Sequence, residues 1–248
     1  MARFAVILPA AGRSTRFGSP DRKKTYAELD GRAVWLRAAD AFLGRDDVAQ
    51  VIVAIAPEDR ELFERRYRPN VAFMNITVVE GGAERSDSIA NALARVDPSC
   101  DFVAVHDAAR PCVTPAVVDA VFAAAVEFGA ALPAVAVADT LKRVDADRWT
   151  VETVPRAGLF GAQTPQAFRR DWIEHAYAER HKLGAAITDD AQLVEASGHH
   201  CRIVDGSSEN LKITTAEDLR LASAILAARP APKRDGPLHP FADDPDRS

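Results

Sequence analysis

Phe4-Ala5-Val6-Ile7-Leu8-Pro9-Ala10-Ala11-Gly12 is the segment that decides the fold. Five consecutive apolar residues, 4–8, lead directly into a turn made of small residues. A half-exposed strand alternates polar and apolar side chains, whereas a parallel strand covered on both faces is apolar throughout. The segment therefore predicts a buried parallel strand that ends in a turn with an accessible backbone.

Similar apolar runs recur along the chain, and helical segments separate them. The further predicted strands are 48–56, 76–79, 102–106 and 130–137, and the predicted helices between them are 33–43, 59–67, 85–95 and 115–128. Strands and helices that alternate at this spacing are typical of right-handed βαβ units. We therefore predict an α/β fold with a doubly wound, mostly parallel sheet, in which ligands bind at the carboxyl ends of the strands.

Residues 138–156 interrupt this alternation. Two segments in which polar and apolar side chains alternate flank the turn 145–148, and this pattern predicts a β-hairpin. Such a hairpin either projects as an arm onto a partner subunit or lies on its own domain, and the residues alone leave both open. Helices at 171–182, 189–196 and 215–228 and a strand at 201–204 complete a single domain over 1–228. The proline-rich residues 229–248 are predicted to form a disordered tail.

The distribution of charge indicates the kind of ligand. The 248 residues carry a net charge of −5, and no nucleic-acid partner is expected because nucleic-acid binding usually needs a broad basic surface. Between Arg13 and Lys24, however, five basic residues occur with a single acidic residue, Asp21. A basic loop on an acidic protein indicates a small polyanionic ligand.

The remaining composition predicts a cytoplasmic protein. Cys100, Cys112 and Cys201 are far apart and match neither a disulfide framework nor a zinc site. No apolar run reaches membrane-spanning length, so no membrane partner is expected. The apolar stretch 4–8 is also too short to be a secretory signal.

The turn after the first strand has the composition of a phosphate site. Ala10, Ala11 and Gly12 allow a phosphate or a base to approach consecutive backbone N–H groups. Arg16 and the pair Lys23-Lys24 would complete a cradle for a triphosphate. The spacing is neither that of the P-loop nor that of a dinucleotide-binding turn, and a solvated loop with scattered basic residues remains the alternative.

Two later strands also end in polar residues. Gly82 and its neighbour allow backbone contact with a flat ligand, and Ser88 can offer a hydroxyl to a base edge, although a plain glycine-rich connection capped by Ser86 or Asp87 is the alternative. Asp107, at the end of the fourth strand, is placed to hold Mg²⁺ against phosphate oxygens, or merely to cap the next segment. Arg110 can take a phosphate bidentately. The adjacent His106 is predicted to be a packed core histidine.

In order along the chain, these residues resemble one family, the cytidylyltransferases that join CTP to 2-C-methyl-D-erythritol 4-phosphate in non-mevalonate isoprenoid synthesis. The resemblance covers residue 3 to about residue 228. It rests on Ala10-Ala11-Gly12 with Arg16, Lys24-Thr25-Tyr26, Gly81-Gly82-Ala83-Glu84-Arg85 with Asp87-Ser88, His106-Asp107-Ala108-Ala109-Arg110-Pro111, Asp139-Thr140-Leu141-Lys142-Arg143, Arg156, Thr164-Pro165-Gln166, Thr188-Asp189 and Asn210-Leu211-Lys212-Ile213-Thr214.

The resemblance implies a Rossmann-like nucleotidyltransferase fold and a role for each matching residue. Arg16 and Lys24 would stabilise the charge at the α-phosphate, Asp107 would bind Mg²⁺, and Arg156 and Lys212 would position the attacking phosphate. The substrate-binding set would be Ala10, Ala11, Gly12, Gly82, Asp87, Ser88, Arg110, Thr140 and Thr164. Members of the family are homodimers in which the arm reaches the other subunit, so Thr140 and Arg156 would act in trans.

Two departures from the family pattern concern the loop between residues 14 and 24. Ser14 replaces a usual glycine, and Arg22-Lys23-Lys24 replaces a usual proline and lysine, which leaves Lys23 as a rival to Lys24. We choose Lys24 because Tyr26 follows it at the family's spacing. The alternatives for the function are a cytidylyltransferase for another polyol phosphate, such as ribitol 5-phosphate, and a non-catalytic nucleotide-binding protein.

Overall fold

The computed structural model describes residues 1–12, 17, 23–182 and 187–229. Ser14, Arg16 and all but the first residue of the predicted tail lie outside the described residues. The strands are β1 (Phe4–Pro9), β2 (Glu28–Leu29), β3 (Arg32–Ala33), β4 (Val48–Ile55), β5 (Ile76–Glu80), β6 (Phe102–Val105), β7 (Ala130–Ala136), β8 (Leu141–Val144), β9 (Thr150–Val154), β10 (Phe160–Ala162), β11 (Gln166–Arg169) and β12 (Arg202–Asp205). The helices are α1 (Val34–Asp40), α2 (Arg60–Phe73), α3 (Arg85–Leu93), α4 (Pro115–Phe128), α5 (Arg170–Ala178), α6 (Asp190–Ala196) and α7 (Ala216–Ala228).

An eight-stranded sheet forms the centre of the molecule. Its order is β10-β7-β11-β6-β1-β4-β5, and β12 pairs with β7. Strands β6, β1, β4 and β5 are mutually parallel, and β12 is parallel to β7. The predicted mostly parallel α/β sheet is therefore confirmed. Two strands were not predicted, β10 and β11, which are antiparallel to β7, and β11 separates β7 from β6.

β1 is apolar throughout because both of its faces are covered, as predicted. Phe4, Val6 and Leu8 pack into the core on one face of the sheet, whereas Ile7 packs into a second core on the other face. All four side chains are essentially inaccessible to solvent. Because both faces are covered, no position in this strand can be polar, and the carboxyl end of the strand is fixed in the middle of the sheet.

Most helix boundaries follow local signals. α4 spans the predicted residues, with Thr114 as its N-cap and Gly129 in the left-handed region after its end. α7 begins after Thr215, whose side chain and that of Asp218 form a capping box. α2 continues past the predicted end at residue 67 to Phe73, even though Pro69 lies inside it.

The predicted hairpin is present and forms an arm of its own. β8 and β9 pair with each other in a separate two-stranded sheet. Val144 and Val151 are exposed, Leu141 and Val154 are half-buried, and Trp149 at the turn has 74% of its surface accessible. Among the residues described, we find no helix long and apolar enough to cross a membrane.

Candidate active site

A cavity of about 470 Å³ opens at the carboxyl ends of the parallel strands. Each of β1, β4, β5 and β6 contributes the residues that follow its last position. The walls consist of 11–12, 56–58, 81–85 and 107–109, together with Pro9, Lys24, Thr25, Ser88 and Lys212. The cavity therefore lies where the sequence predicts ligand binding in a sheet of this type.

The floor is built of small residues in close contact. Ala11 and Gly12 line the cavity, whereas Ala10 is fully buried beneath them and its N–H donates to the carbonyl of Ala54 at 2.7 Å. The Ser88 hydroxyl, predicted to face a base, accepts from the Gly82 N–H and donates to the Glu84 carbonyl, each at 3.1 Å. It therefore stabilises the turn after β5 as well as lining the cavity.

The turn after β5 tolerates no side chain at Gly82. A Cβ atom there would lie 2.3 Å from the Cβ of Asp87, whereas a Cβ at Gly12 would meet no atom of the described residues within 4 Å. We expect Gly82→Ala to destabilise the fold by about 1–3 kcal/mol through overpacking and Gly12→Ala to leave stability close to that of the wild type. Thermal unfolding checks both, and equal melting temperatures for the two variants would contradict the packing described.

Asp107 lies among three cations at the cavity wall. Its carboxylate is 2.8 Å from the Lys212 Nζ, 3.5 Å from the Arg110 Nε and 3.6 Å from an Arg85 Nη atom. Burial alone raises the pKa of Asp107, but Lys212, Arg85 and Arg110 outweigh burial and hold the pKa well below its usual range. Asp107 is therefore an ionised carboxylate at the cavity wall.

Hydrogen bonds to Thr164 and His106 hold the segment at the end of β6 that carries Asp107. The Asp107 N–H donates to the Thr164 hydroxyl at 3.0 Å, so this hydroxyl can donate its own proton to the His106 Nδ1 at 3.1 Å. The His106 Nε2 then carries the ring hydrogen and donates to the Arg110 carbonyl at 3.0 Å. Thr164 is 5% exposed, and His106 is wholly buried. The predicted packed role of His106 agrees with this geometry.

The buried histidine predicts a pH dependence of stability. Burial lowers the pKa of His106 from 6.5 to about 4. Between these values the unfolded chain binds a proton that the folded chain excludes, so the free energy of unfolding falls as the pH falls, by roughly 3 kcal/mol in total. We expect His106→Gln to flatten this slope between pH 6.5 and 4, as measured by urea unfolding at each pH. An unchanged slope would refute the neutral, buried state.

Arg85 is held in place by a second buried carboxylate. Two guanidinium nitrogens of Arg85 bond Asp190 at 3.1 and 2.7 Å, and Asp190 is fully buried. Tyr177 donates its hydroxyl to the same carboxylate, and Gln166 accepts from the Asp190 N–H at 3.1 Å. Arg85 therefore presents a fixed positive charge to the cavity beside Asp107. Arg85 belongs to a motif of the sequence that predicted no role for it, and Asp190 was not predicted as a site residue.

The structure places the two neighbouring lysines differently. Lys24 lines the cavity, whereas the Lys23 Nζ lies 2.6 Å from Asp59 and 3.2 Å from Glu58. Only 16% of the Lys23 side chain is exposed. This arrangement favours Lys24 as the residue that meets a ligand, in agreement with the choice made from the spacing to Tyr26.

Several predicted site residues do not line the cavity of this single chain. Arg110 donates to the Asn210 carbonyl at 2.6 Å, and Asp87 accepts from Arg180 at 3.4 Å, so both have partners in the protein. Thr140 and Arg156 lie exposed at the base of the arm, where Arg156 donates to the Ala138 carbonyl. Their predicted substrate contacts stay predictions.

The donor set of the cavity is suited to Mg²⁺ brought in by phosphates. No group of three or more His, Cys, Asp or Glu side chains that could hold a metal occurs within the described ranges. Asp107 nevertheless provides one ionised carboxylate at the cavity wall. Mg²⁺ commonly takes one or two carboxylates and completes its shell with substrate phosphates and water, so a single Asp is compatible with that mode of binding.

Comparison with known proteins points to one family. Residues 4–228 match the family model for 2-C-methyl-D-erythritol 4-phosphate cytidylyltransferase. The protein of that name from Rhodopirellula baltica is 44% identical over 236 residues, covering 91% of this chain and 95% of its own length. The one from Pelotomaculum thermopropionicum is 40% identical over 230 residues, covering 92% of this chain and 96% of its own length.

Solved structures agree with the sequence relatives. The 4-diphosphocytidyl-2C-methyl-D-erythritol synthase from Anaerococcus prevotii superposes with a TM-score of 0.77 at 28% identity, covering 91% of this chain and 96% of its own. The 2-C-methyl-D-erythritol 4-phosphate cytidylyltransferase from Thermus thermophilus superposes with a TM-score of 0.73 at 32% identity, covering 89% and 98%. The family match over residues 4–228 includes the strands that build the cavity.

Proposed function

The chain belongs to the 2-C-methyl-D-erythritol 4-phosphate cytidylyltransferase family, and we propose that it transfers CMP from CTP to 2-C-methyl-D-erythritol 4-phosphate in isoprenoid precursor synthesis. One observation carries the link from family to chemistry. The cavity at the strand ends is lined by Lys24, Arg85 and Lys212, and the last two lie 3.6 and 2.8 Å from the ionised carboxylate of Asp107. A site with this charge pattern is suited to hold a triphosphate and a second phosphate together.

The reaction requires positioning rather than proton transfer. A phosphate oxygen of the second substrate attacks the α-phosphorus of CTP, the bond from that phosphorus to the bridging oxygen breaks, and diphosphate leaves. Since the attacking phosphate is already ionised, no general base is needed. Catalysis then comes from holding the two phosphates in line and from cations placed where negative charge grows. Lys24 and the predicted Arg16 supply that charge at the α-phosphate, and Lys212 and Arg156 position the attacking phosphate.

The small residues at the floor would receive the nucleotide. Ala11 and Gly12 expose the backbone after β1, and Gly82 does so after β5. At Gly82 the missing side chain lets the backbone pack against Asp87, and the backbone of this turn lines the cavity where a base would lie. Asp87 and Ser88, in the first turn of α3, are the candidates for contacts that separate cytosine from other bases.

Mg²⁺ is proposed as the cofactor, with Asp107 as its protein ligand. Asp107 remains ionised beside the cavity, and phosphate oxygens and water would supply the other ligands. When bound, the ion neutralises part of the charge on the triphosphate. Asp107 would share its carboxylate between that ion and Lys212.

We also propose that the active form is a cytoplasmic homodimer joined through the arm. The support is the exposure of Val144, Trp149 and Val151 on the arm and of Phe160 beside it, because such apolar surface on a soluble protein commonly marks an interface. The three free cysteines, two of them buried, suit a reducing compartment. Dimerisation would bring Thr140 and Arg156 of one subunit to the cavity of the other.

A substrate panel tests the function. The protein is incubated with Mg²⁺, one of several nucleoside triphosphates and either 2-C-methyl-D-erythritol 4-phosphate or ribitol 5-phosphate, and diphosphate release is measured. We expect release with CTP and methylerythritol phosphate, and its loss when Mg²⁺ is chelated. Release only with ribitol phosphate would replace the proposed substrate, and no release with any pair would reject the enzyme function.

A further inference from the structure

We propose that Asp59 is the positioning residue that holds Lys24 at the cavity, because it anchors the chain on both sides of that lysine. The contacts that Asp59 makes with Lys23 and Tyr26 are observed in the structure. Their effect on catalysis rests on the function proposed above. Nothing in the sequence patterns pointed to Asp59, since it lies 35 residues beyond Lys24 in a turn that follows a different strand.

Asp59 is a nearly buried carboxylate with two partners. It ends the 3₁₀ turn Pro57–Asp59, which directly follows β4, and it is 8% exposed. Its Oδ2 accepts from the Lys23 Nζ at 2.6 Å and from the Tyr26 hydroxyl at 3.0 Å. A carboxylate at this depth needs such partners, because an unpaired buried charge is strongly destabilising.

The two partners of Asp59 bracket the proposed catalytic lysine. Lys23 directly precedes Lys24, and Tyr26 closes the 3₁₀ turn Lys24–Tyr26, with its N–H donating to the Lys23 carbonyl at 2.9 Å. Asp59 therefore fixes the turn at both ends. The Lys23 side chain is directed to Asp59, and Lys24 lines the cavity.

The anchor, which consists of Asp59 and its two partners Lys23 and Tyr26, is rigid because the Tyr26 ring packs among other aromatic side chains. Its ring lies 6.1 Å from that of Phe63 and 6.0 Å from that of Tyr67, and the Trp35 ring is 5.0 Å from that of Phe63. Burial, and then the charge of Asp59, raises the pKa of Tyr26, so the hydroxyl keeps its proton and donates. The position of Lys24 is thus tied to side chains packed in the core of the protein.

The expected consequence is a loss of turnover rather than of nucleotide binding. Asp59 does not line the cavity, so its removal deletes no contact to a ligand there. Displacement of a catalytic group by about 1 Å can lower a rate about 100-fold. Since Lys24 stays in the chain, we expect a smaller effect, with kcat lowered about tenfold and KM for CTP within about twofold of the wild type.

Two variants remove the two halves of the anchor. Asp59→Asn removes the charge that holds Lys23, and Tyr26→Phe removes only the hydroxyl. Asp47→Asn is the matched control, because Asp47 is another partly buried carboxylate, paired with Arg45 at 2.8 Å, at the opposite end of β4. All three are assayed for kcat and KM, and their lysines are acetylated with acetic anhydride and quantified by mass spectrometry.

Acetylation of Lys23 reports whether its ammonium group is held by Asp59, and this measurement does not depend on activity. We expect Lys23 acetylation to rise several-fold in Asp59→Asn and to stay at the wild-type level in Asp47→Asn. We expect the tenfold loss of kcat in Asp59→Asn, a few-fold loss in Tyr26→Phe, where Lys23 still pairs with Asp59, and no loss in Asp47→Asn. Unchanged Lys23 labelling in Asp59→Asn would overturn the anchor. A wild-type kcat in both anchor variants would overturn the positioning role. If Asp59→Asn fails to fold, the kcat of Tyr26→Phe decides alone, and if the wild type transfers no CMP, the labelling still decides the anchor.

Discussion

Replacing Lys24 by methionine is expected to lower kcat for diphosphate release by about 100-fold or more, as the loss of one preorganised donor does in other enzymes. Methionine keeps most of the length of the side chain and removes its charge. Lys24 lines the same cavity as the residues that follow β4 and β5, where the charge of a pentacovalent α-phosphate would grow. Steady-state kinetics with CTP and methylerythritol phosphate, together with thermal unfolding to verify the fold, measure the effect.

Lys23→Met is the matched control for this experiment. It removes the same charge one residue away, from a side chain that contacts Asp59 and Glu58. Tyr26 still bonds Asp59 in this variant, so we expect only a few-fold loss of kcat. The reverse order, with Lys23→Met the more damaging, would transfer the catalytic role to Lys23. If both substitutions lowered kcat only slightly and to the same extent, neither lysine would be catalytic.

The parts of the fold predicted from sequence are those with local signals. α4 begins at Thr114-Pro115 and ends before Gly129, so capping and backbone preference fix both boundaries. β1 is recognisable because both its faces are covered. β11 carries no such signal, since Gln166–Arg169 has only two apolar residues. Its place between β6 and β7 comes from pairing with residues more than 30 positions away, which periodicity does not encode.

The same division applies to the site. Small residues and a carboxylate after buried strands were recognisable, because strand ends converge on one edge of such a sheet. The supporting contacts were not, because they join distant segments. Arg85 and Asp190 are 105 residues apart, and Lys212 approaches Asp107 across a comparable separation. The sequence therefore shows where the basic residues are, but the tertiary fold decides what each one faces. Arg110, for example, donates to a backbone carbonyl.

A mixed dimer of Lys24→Met and Arg156→Ala subunits is expected to regain about half the activity of the wild-type dimer, although each variant alone is nearly inactive. If Arg156 acts on the other subunit's cavity, one site of the mixed dimer combines an intact Lys24 with an intact Arg156, and the other site lacks both. Arg156 and Thr140 lie exposed at the base of the arm, and neither lines the cavity of its own chain. Co-expression with two affinity tags isolates the mixed dimer for assay.

Two further pairings decide between action in trans and in cis. A mixed dimer of Lys24→Met with Lys212→Ala should stay inactive, because both residues line the cavity of their own subunit and each site then carries one defect. A chain that carries both Lys24→Met and Arg156→Ala, paired with a wild-type chain, should also be nearly inactive if Arg156 acts in trans. If Arg156 acts in cis, that last dimer keeps about half its activity and the first mixed dimer keeps almost none. The two arrangements thus predict opposite results from the same proteins, and a monomeric wild type in light scattering would exclude the trans arrangement outright.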